Sequence, residues 1–105
     1  SAVTNMAGMF YRTLGMPVID ISKFNTNNVQ HMEDMFRETG AVTIQASWWF
    51  NANNVIDSSR MFMDAMHLVG QNGTAYNVTN PQDKTYARFD NAGGLPGYFT
   101  YKNPY

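Results

Sequence analysis

The stretch that decides the fold is Val29-Gln30-His31-Met32-Glu33-Asp34-Met35-Phe36, because related stretches occur on both sides of it. The counterparts are residues 3–10 and 55–62, at an offset of 26 residues each time. A fixed period of this length is typical of repeats that stack and share one apolar core. Three apolar columns form that predicted core: Val3, Val29 and Val55; Met9, Met35 and Met61; and Phe10, Phe36 and Phe62.

Each repeat divides into two parts. Val29, Met32, Met35 and Phe36 follow helical spacing and form one apolar stripe, which predicts a helix. A short extended run follows, residues 18–22 in the first repeat and 42–47 in the second, and it alternates as a half-buried strand does. We therefore predict an α/β fold, a leucine-rich-repeat-type solenoid of strand–helix units of about 26 residues with a parallel sheet.

The repeat pattern ends near residue 70. Residues 1–70 are the predicted repeats, and residues 71–105 are a predicted capping segment of the same domain. The alternating runs 85–89 and 97–101 predict a C-terminal β-hairpin that covers the last repeat. The last four residues are expected to fray.

Composition excludes several classes of function. A net charge of -1 argues against nucleic acid as a partner, and no apolar run is long enough to insert in a membrane. The chain contains no cysteine. His31 and His67 have no carboxylate at a ligand spacing that we recognise, so we expect no metal and no cofactor. The sequence shows no acid–base or nucleophile constellation, so we do not expect an enzyme.

Trp48 and Trp49 are the strongest candidates for a binding site. Adjacent side chains on an extended backbone point to opposite sides, so at most one of the two should be buried. An exposed tryptophan is a frequent hot spot of protein interfaces. The residues expected to flank it on the open sheet face are Asp20, Ser22, Gln45 and Ser47.

The segments Asn5-Met6-Ala7-Gly8-Met9-Phe10 and Ile19-Asp20-Ile21-Ser22-Lys23-Phe24 resemble BspA-like leucine-rich-repeat surface proteins of bacteria. This group includes mycoplasma lipoproteins with a domain of unknown function. The tail segments Asn72-Gly73-Thr74-Ala75-Tyr76 and Pro96-Gly97-Tyr98-Phe99-Thr100 are similar to the sequence that closes such arrays. The resemblance implies an extracellular or cell-surface location and a role in adhesion.

Three functions remain open from the sequence. The first is adhesion or protein–protein interaction through the sheet face, with a protein or glycan of a host or neighbouring cell as the partner. The second is a carbohydrate-binding surface centred on an exposed tryptophan. The third is a structural cap of a larger solenoid. In each case the N-terminal edge is expected to expose apolar surface and to allow self-association.

Overall fold

A computed structural model describes residues 3–91 and 94–105 of the chain. The strands are β1 (Val18–Asp20), β2 (Thr43–Ala46) and β3 (Phe99–Tyr101), and a 3-10 helix, η1, spans Lys84–Tyr86. The strands form a parallel sheet in the order β1-β2-β3. Ile19 pairs with Ile44, and Ile44 pairs with Phe99. All three side chains are fully buried, so the inner face of the sheet covers the core.

The predicted strand–helix solenoid of the leucine-rich-repeat type is wrong, because the described residues contain no α-helix. Where the second helix was expected, the chain makes consecutive tight turns. The amides of Met35, Arg37 and Thr39 each donate to the carbonyl three residues earlier, at 3.2 Å. Asp34 and Glu38 have φ angles of +58° and +56°, which a right-handed helix excludes. No helix in the described residues is long and apolar enough to cross a membrane.

Hydrogen bonds between repeats explain why turns replace the helix. Buried backbone groups must be paired, and every second amide of a repeat finds its partner in the next repeat. Phe10 donates to the carbonyl of Met35 at 2.9 Å, and Phe36 donates to that of Met61 at 2.8 Å. The same pattern includes Gly8 to Glu33, Arg12 to Arg37, Met32 to Asp57, Asp34 to Ser59 and Glu38 to Met63. In a helix these amides would instead donate to carbonyl groups of the same repeat, and none would remain for bonds between repeats.

The phenylalanine column forms the centre of the core. The ring centroids of Phe10 and Phe36 are 5.5 Å apart, as are those of Phe36 and Phe62, and each pair is parallel within 7°. The column side chains of the second and third repeats are buried with them: Val29, Met35, Val55 and Met61. Val3 and Met9 differ, being 49% and 44% exposed. They belong to the outermost repeat, where nothing in the described chain covers their outer side.

The repeats are not strictly regular around the strands. Ile19 pairs with Ile44, which is one residue less than the repeat period. The full period returns at Asn25 and Asn51, whose Oδ1 atoms accept from the amides of Asn27 and Asn53. One additional residue therefore lies between β2 and Asn51. The segment with the additional residue contains Trp48 and Trp49.

The predicted β-hairpin cap is also wrong. Asp83 caps η1 by accepting from the amide of Thr85 at 2.9 Å, so the expected strand 85–89 begins as a 3-10 turn instead. β3 pairs with β2 in parallel, and its bridge to the upstream segment, between Phe89 and Phe99, is also parallel, whereas a hairpin requires antiparallel pairing. The chain thus leaves the sheet after β2 and returns to it with β3. Tyr98 is buried there with its ring 5.1 Å from Phe62.

Asp90 fixes the route of the chain before β3. Its buried carboxylate accepts from the amides of Asn72 and Thr74, both at 2.9 Å, and from the Thr74 hydroxyl at 2.7 Å. Burial acts to raise the pKa of Asp90, but these hydrogen bonds outweigh it and the pKa is lowered. Gly70 permits the close approach, since a Cβ there would lie 2.2 Å from the carbonyl oxygen of Gly97.

Candidate binding site at the aromatic rim

The outer face of the sheet carries a row of neighbouring polar residues across the three strands: Asp20, Gln45 and Thr100. Both carboxylate oxygens of Asp20 already have partners in the chain. Oδ2 lies 2.6 Å from Nζ of Lys102, and Oδ1 accepts from the amide of Ser22 at 2.8 Å. The hydrogen bond from Lys102, followed by that from Ser22, lowers the pKa of Asp20 to about 2. A partner at this face must therefore compete with Lys102.

Ser22 and Ser47 lie out of solvent, with 1% and 0% of their surfaces exposed. They were expected on the open face, but their burial prevents direct contact with a partner. The C-terminal tail reaches this end of the sheet. Lys102 donates its amide to the carbonyl of Ala46 at 2.8 Å, Pro104 is buried, and the ring of Tyr105 packs on Trp49. The tail is therefore held at Lys102 and Pro104 and does not fray from its first residue, although Tyr105 itself is 90% exposed.

Trp48 and Trp49 occupy different environments. Trp48 is 59% exposed, whereas Trp49 is half-buried. The indole Nε1 of Trp49 donates to the carbonyl of Ser22 at 2.8 Å, and this bond fixes the ring against the end of β1. The two indole rings are 5.3 Å apart, and Tyr105 packs edge-on against Trp49 at 6.2 Å. We call Trp48, Trp49 and Tyr105 the aromatic rim.

A cleft of about 320 Å³ adjoins the aromatic rim. It is lined by Lys23, Asn25, Asn27 and Trp49, so that one aromatic wall faces amide and ammonium groups. Oδ1 of Asn25 accepts from the amide of Asn27 at 3.0 Å, and Oδ1 of Asn27 accepts from Nδ2 of Asn51 at 2.5 Å. Neither asparagine uses its Nδ2 group within the described part of the chain. The cleft therefore offers hydrogen-bond donors beside an aromatic face.

The family model for "Mycoplasma protein of unknown function, DUF285" matches residues 1–95. The chain belongs to the DUF285 family. The match of this DUF285 chain confirms the mycoplasma part of the resemblance and gives no support to the BspA-like leucine-rich-repeat part. No curated protein and no solved structure matches the DUF285 chain.

Sequence reasoning missed the cleft residues of this DUF285 domain. Asn25 and Asn27 belong to a segment that recurs at Asn51 and Asn53. The recurring asparagines also have a structural role, because Nδ2 of Asn54 donates to the carbonyl of Asn27 in the neighbouring repeat at 2.6 Å. The sequence feature that points to a site is the additional residue between β2 and Asn51, because this segment contains Trp49, which lies next to these amides.

The structure also brings together a group that could ligate a metal. One ligand atom each of His31, Glu33 and Asp57 lies within 4.8 Å of the other two. The repeat geometry creates this cluster, since Asp57 lies in the repeat next to that of His31. The spacing of residues in the sequence did not indicate this cluster, whereas the fold places Glu33 and Asp57 near His31. His67 is exposed.

Proposed function

We propose that this DUF285 domain is a non-enzymatic binding module of a bacterial surface or secreted protein, and that it recognises a carbohydrate at the aromatic rim and its cleft. The observation that supports this most directly is the half-buried ring of Trp49, fixed by Ser22, beside the amides of Asn25 and Asn27. Sugars present an apolar ring face together with hydroxyl groups. An aromatic wall with nearby hydrogen-bond donors is complementary to both features.

Preorganisation favours the same interpretation. The indole of Trp49 and the side chains of Asn25 and Asn27 are all restrained by hydrogen bonds within the chain. Side chains that are already ordered lose little entropy when a ligand binds. The cleft volume of about 320 Å³ lies at the lower end of ligand sites, which fits one sugar residue with its neighbours extending into solvent.

A glycan array probed with the labelled chain tests the proposal. Replacing Trp49 with Ala removes the stacking surface, so we expect bound glycans to be lost or weakened by about tenfold. Lys23→Ala changes an exposed cleft residue without removing a hydrogen bond of Trp49, and we expect it to weaken the same glycans. Met66→Ala is the control, because Met66 is 69% exposed but lies outside the cleft.

The glycan proposal fails if no glycan is retained by the wild-type chain. It also fails if Trp49→Ala and Lys23→Ala, with circular dichroism like that of the wild type, retain glycans as the wild type does. Should Trp49→Ala not fold, Lys23→Ala decides the question alone.

A protein ligand is the second candidate, and Trp48 is the observation that favours it. A tryptophan that is 59% exposed beside two further aromatic rings resembles the anchor of a protein interface. An array of host matrix proteins separates the two candidates. Protein binding should depend on Trp48 and survive Lys23→Ala, whereas glycan binding should depend on both Trp49 and Lys23.

We propose in addition that the N-terminal edge contacts a second copy of the chain. The first repeat leaves a group of large apolar side chains at least 43% exposed: Val3, Met9, Tyr11, Leu14, Met16 and Val18. Where such side chains form one large exposed patch, that patch is typical of an interface. Association of two such edges would remove these side chains from water.

A further inference from the structure

His31 stands at a position where the other two repeats have a turn-capping residue. Parallel bridges place Asn5, His31 and Asp57 side by side. Oδ1 of Asn5 accepts from the amide of Ala7 at 2.8 Å, and Oδ1 of Asp57 accepts from the amide of Ser59 at 3.0 Å. Nδ1 of His31 is buried and has no hydrogen-bond partner. The local turn structure therefore does not account for a histidine at this position.

Glu33 shares this feature. Its Oε1 atom is out of solvent, has no hydrogen-bond partner, and lies 3.3 Å from Nδ1 of His31. When Nδ1 of His31 carries a proton, it forms an ion pair with this carboxylate oxygen. When Nδ1 carries no proton, both atoms are acceptors and repel each other. A cation between the two atoms would satisfy both. Buried polar atoms without partners are uncommon in folded proteins and require a physical explanation.

The separation of these two atoms matches a shared metal ion. Ligands at about 2.0–2.2 Å from Zn²⁺, at a tetrahedral angle, are about 3.3–3.6 Å from each other. The observed distance between Nδ1 of His31 and Oε1 of Glu33 is 3.3 Å. Asp57 supplies the third ligand from within 4.8 Å, and its side chain is half-exposed. Oδ1 of Asp57 is occupied by Ser59, which leaves Oδ2 for the ion.

The charges favour a divalent cation. Two carboxylates and a neutral imidazole carry a charge of about -2 at neutral pH. Arg60 is the nearby cation that could neutralise them, but its guanidinium is already bidentate on Asp34, at 3.0 and 3.2 Å. An imidazole nitrogen with two carboxylates suits Zn²⁺ better than Ca²⁺ or Mg²⁺, which prefer sites made wholly of oxygen.

We infer that His31, Glu33 and Asp57 bind a divalent transition-metal ion of the Zn²⁺ type, with water completing the coordination. The site does not include any residue of the aromatic rim. It joins two repeats, because His31 and Glu33 belong to the second and Asp57 to the third. An ion bound there stabilises the folded chain, since the unfolded chain does not bring the three ligands together.

Titration of the purified, chelator-treated chain with ZnCl₂ tests the inference, followed by isothermal calorimetry and by NMR of the histidine side chains. We expect one ion per chain, a shift of the His31 imidazole resonances, and a higher Tm with Zn²⁺. His31→Asn is the main variant, because Asn5 shows that asparagine fits this position of the repeat. It and Glu33→Gln should weaken binding by at least about tenfold.

His67→Asn is the matched control, because it removes the other, exposed histidine. It should bind Zn²⁺ and gain Tm as the wild type does. Binding by His31→Asn that equals wild-type binding overturns the inference, as does a Zn²⁺-dependent shift confined to His67. A wild-type chain that binds no Zn²⁺ at neutral pH overturns it as well.

Discussion

Phe10 and Phe36 occupy equivalent positions of the phenylalanine column but differ in how far they are buried. Phe36 is fully buried, with rings on both sides at 5.5 Å and Phe99 edge-on at 6.3 Å. Phe10 is half-buried. We expect Phe36→Ala to lower the free energy of unfolding by about 3–5 kcal/mol, the usual cost of removing a buried phenylalanine. Phe10→Ala should cost clearly less, because less of its ring leaves water on folding.

Urea denaturation followed by circular dichroism measures both values. If Phe36→Ala shows no cooperative unfolding transition while Phe10→Ala still does, the result agrees with the larger loss expected for Phe36→Ala. Equal losses for the two variants would contradict it and would mean that the outer face of Phe10 is covered in solution.

At the residue scale, the sequence correctly predicts the features that recur in every repeat. The three phenylalanines align because each repeat places its ring at the same point of the stack. Repetition does not predict exposure at an end of the stack, so Val3 and Met9 differ from their counterparts. It also does not predict which tryptophan is exposed, because that depends on the bond from Trp49 to Ser22.

At the element scale, the apolar spacing that predicts a helix also arises from consecutive turns. Met32, Met35 and Phe36 are buried in the structure, as they would be on a helix. The two structures differ in where the amides donate, and a single sequence does not show that bonds to the next repeat replace those within a helix. The positive φ angles of Asp34 and Arg60 could not be predicted from residue type, because only the first repeat has a glycine, Gly8, at this position.

The C-terminal tail gives a pH-dependent prediction at this scale. Lys102 bonds Asp20 on β1 and lowers the pKa of Asp20 to about 2, from an ordinary value of 3.8. We expect Lys102→Met to raise the pKa of Asp20 towards 3.8. Because the folded-state pKa is the lower one, the ionised carboxylate stabilises the fold above about pH 4, and this stabilisation is lost as the pH falls to about 2. Both side chains are partly exposed, so it amounts to less than about 1 kcal/mol.

An NMR titration of the side-chain carboxyl carbons measures this pKa directly. Asp34 is the internal control, because Arg60 is the main cause of its lowered pKa and Lys102→Met should leave it unchanged. If Asp20 titrates near pH 2 in Lys102→Met as well, the tail does not bind the sheet in the way described.

At the scale of the whole molecule, β3 closes a sheet that the third repeat does not continue. Buried Phe99 takes the place beside Ile44 that a strand of the third repeat would have. The aromatic-rich C-terminal segment predicts that the last repeat is covered. Its parallel pairing depends on the route that Asp90 fixes through its bonds to Asn72 and Thr74, which precede it by 18 and 16 residues and carry no periodic signal. The proximity of His31 to Asp57 has a different origin, because the two residues lie one repeat period apart and the stacking of repeats places them side by side.

The two ends of the stack differ, and this difference predicts self-association. The end near Phe62 is covered by Tyr98 and by η1, whereas the first repeat leaves Leu14 68% and Met16 43% exposed. We expect the chain to form a concentration-dependent dimer through this apolar edge, because dimerisation removes these side chains from water.

Leu14→Glu would place a charge in that contact, and desolvating it without a partner is costly. Sedimentation equilibrium should therefore show a monomer for Leu14→Glu and a dimer for the wild type. Val78→Glu is the control, since Val78 is 74% exposed in the C-terminal segment and should not change the dimer. A wild-type chain that stays monomeric at every concentration would mean that this edge does not bind a second copy.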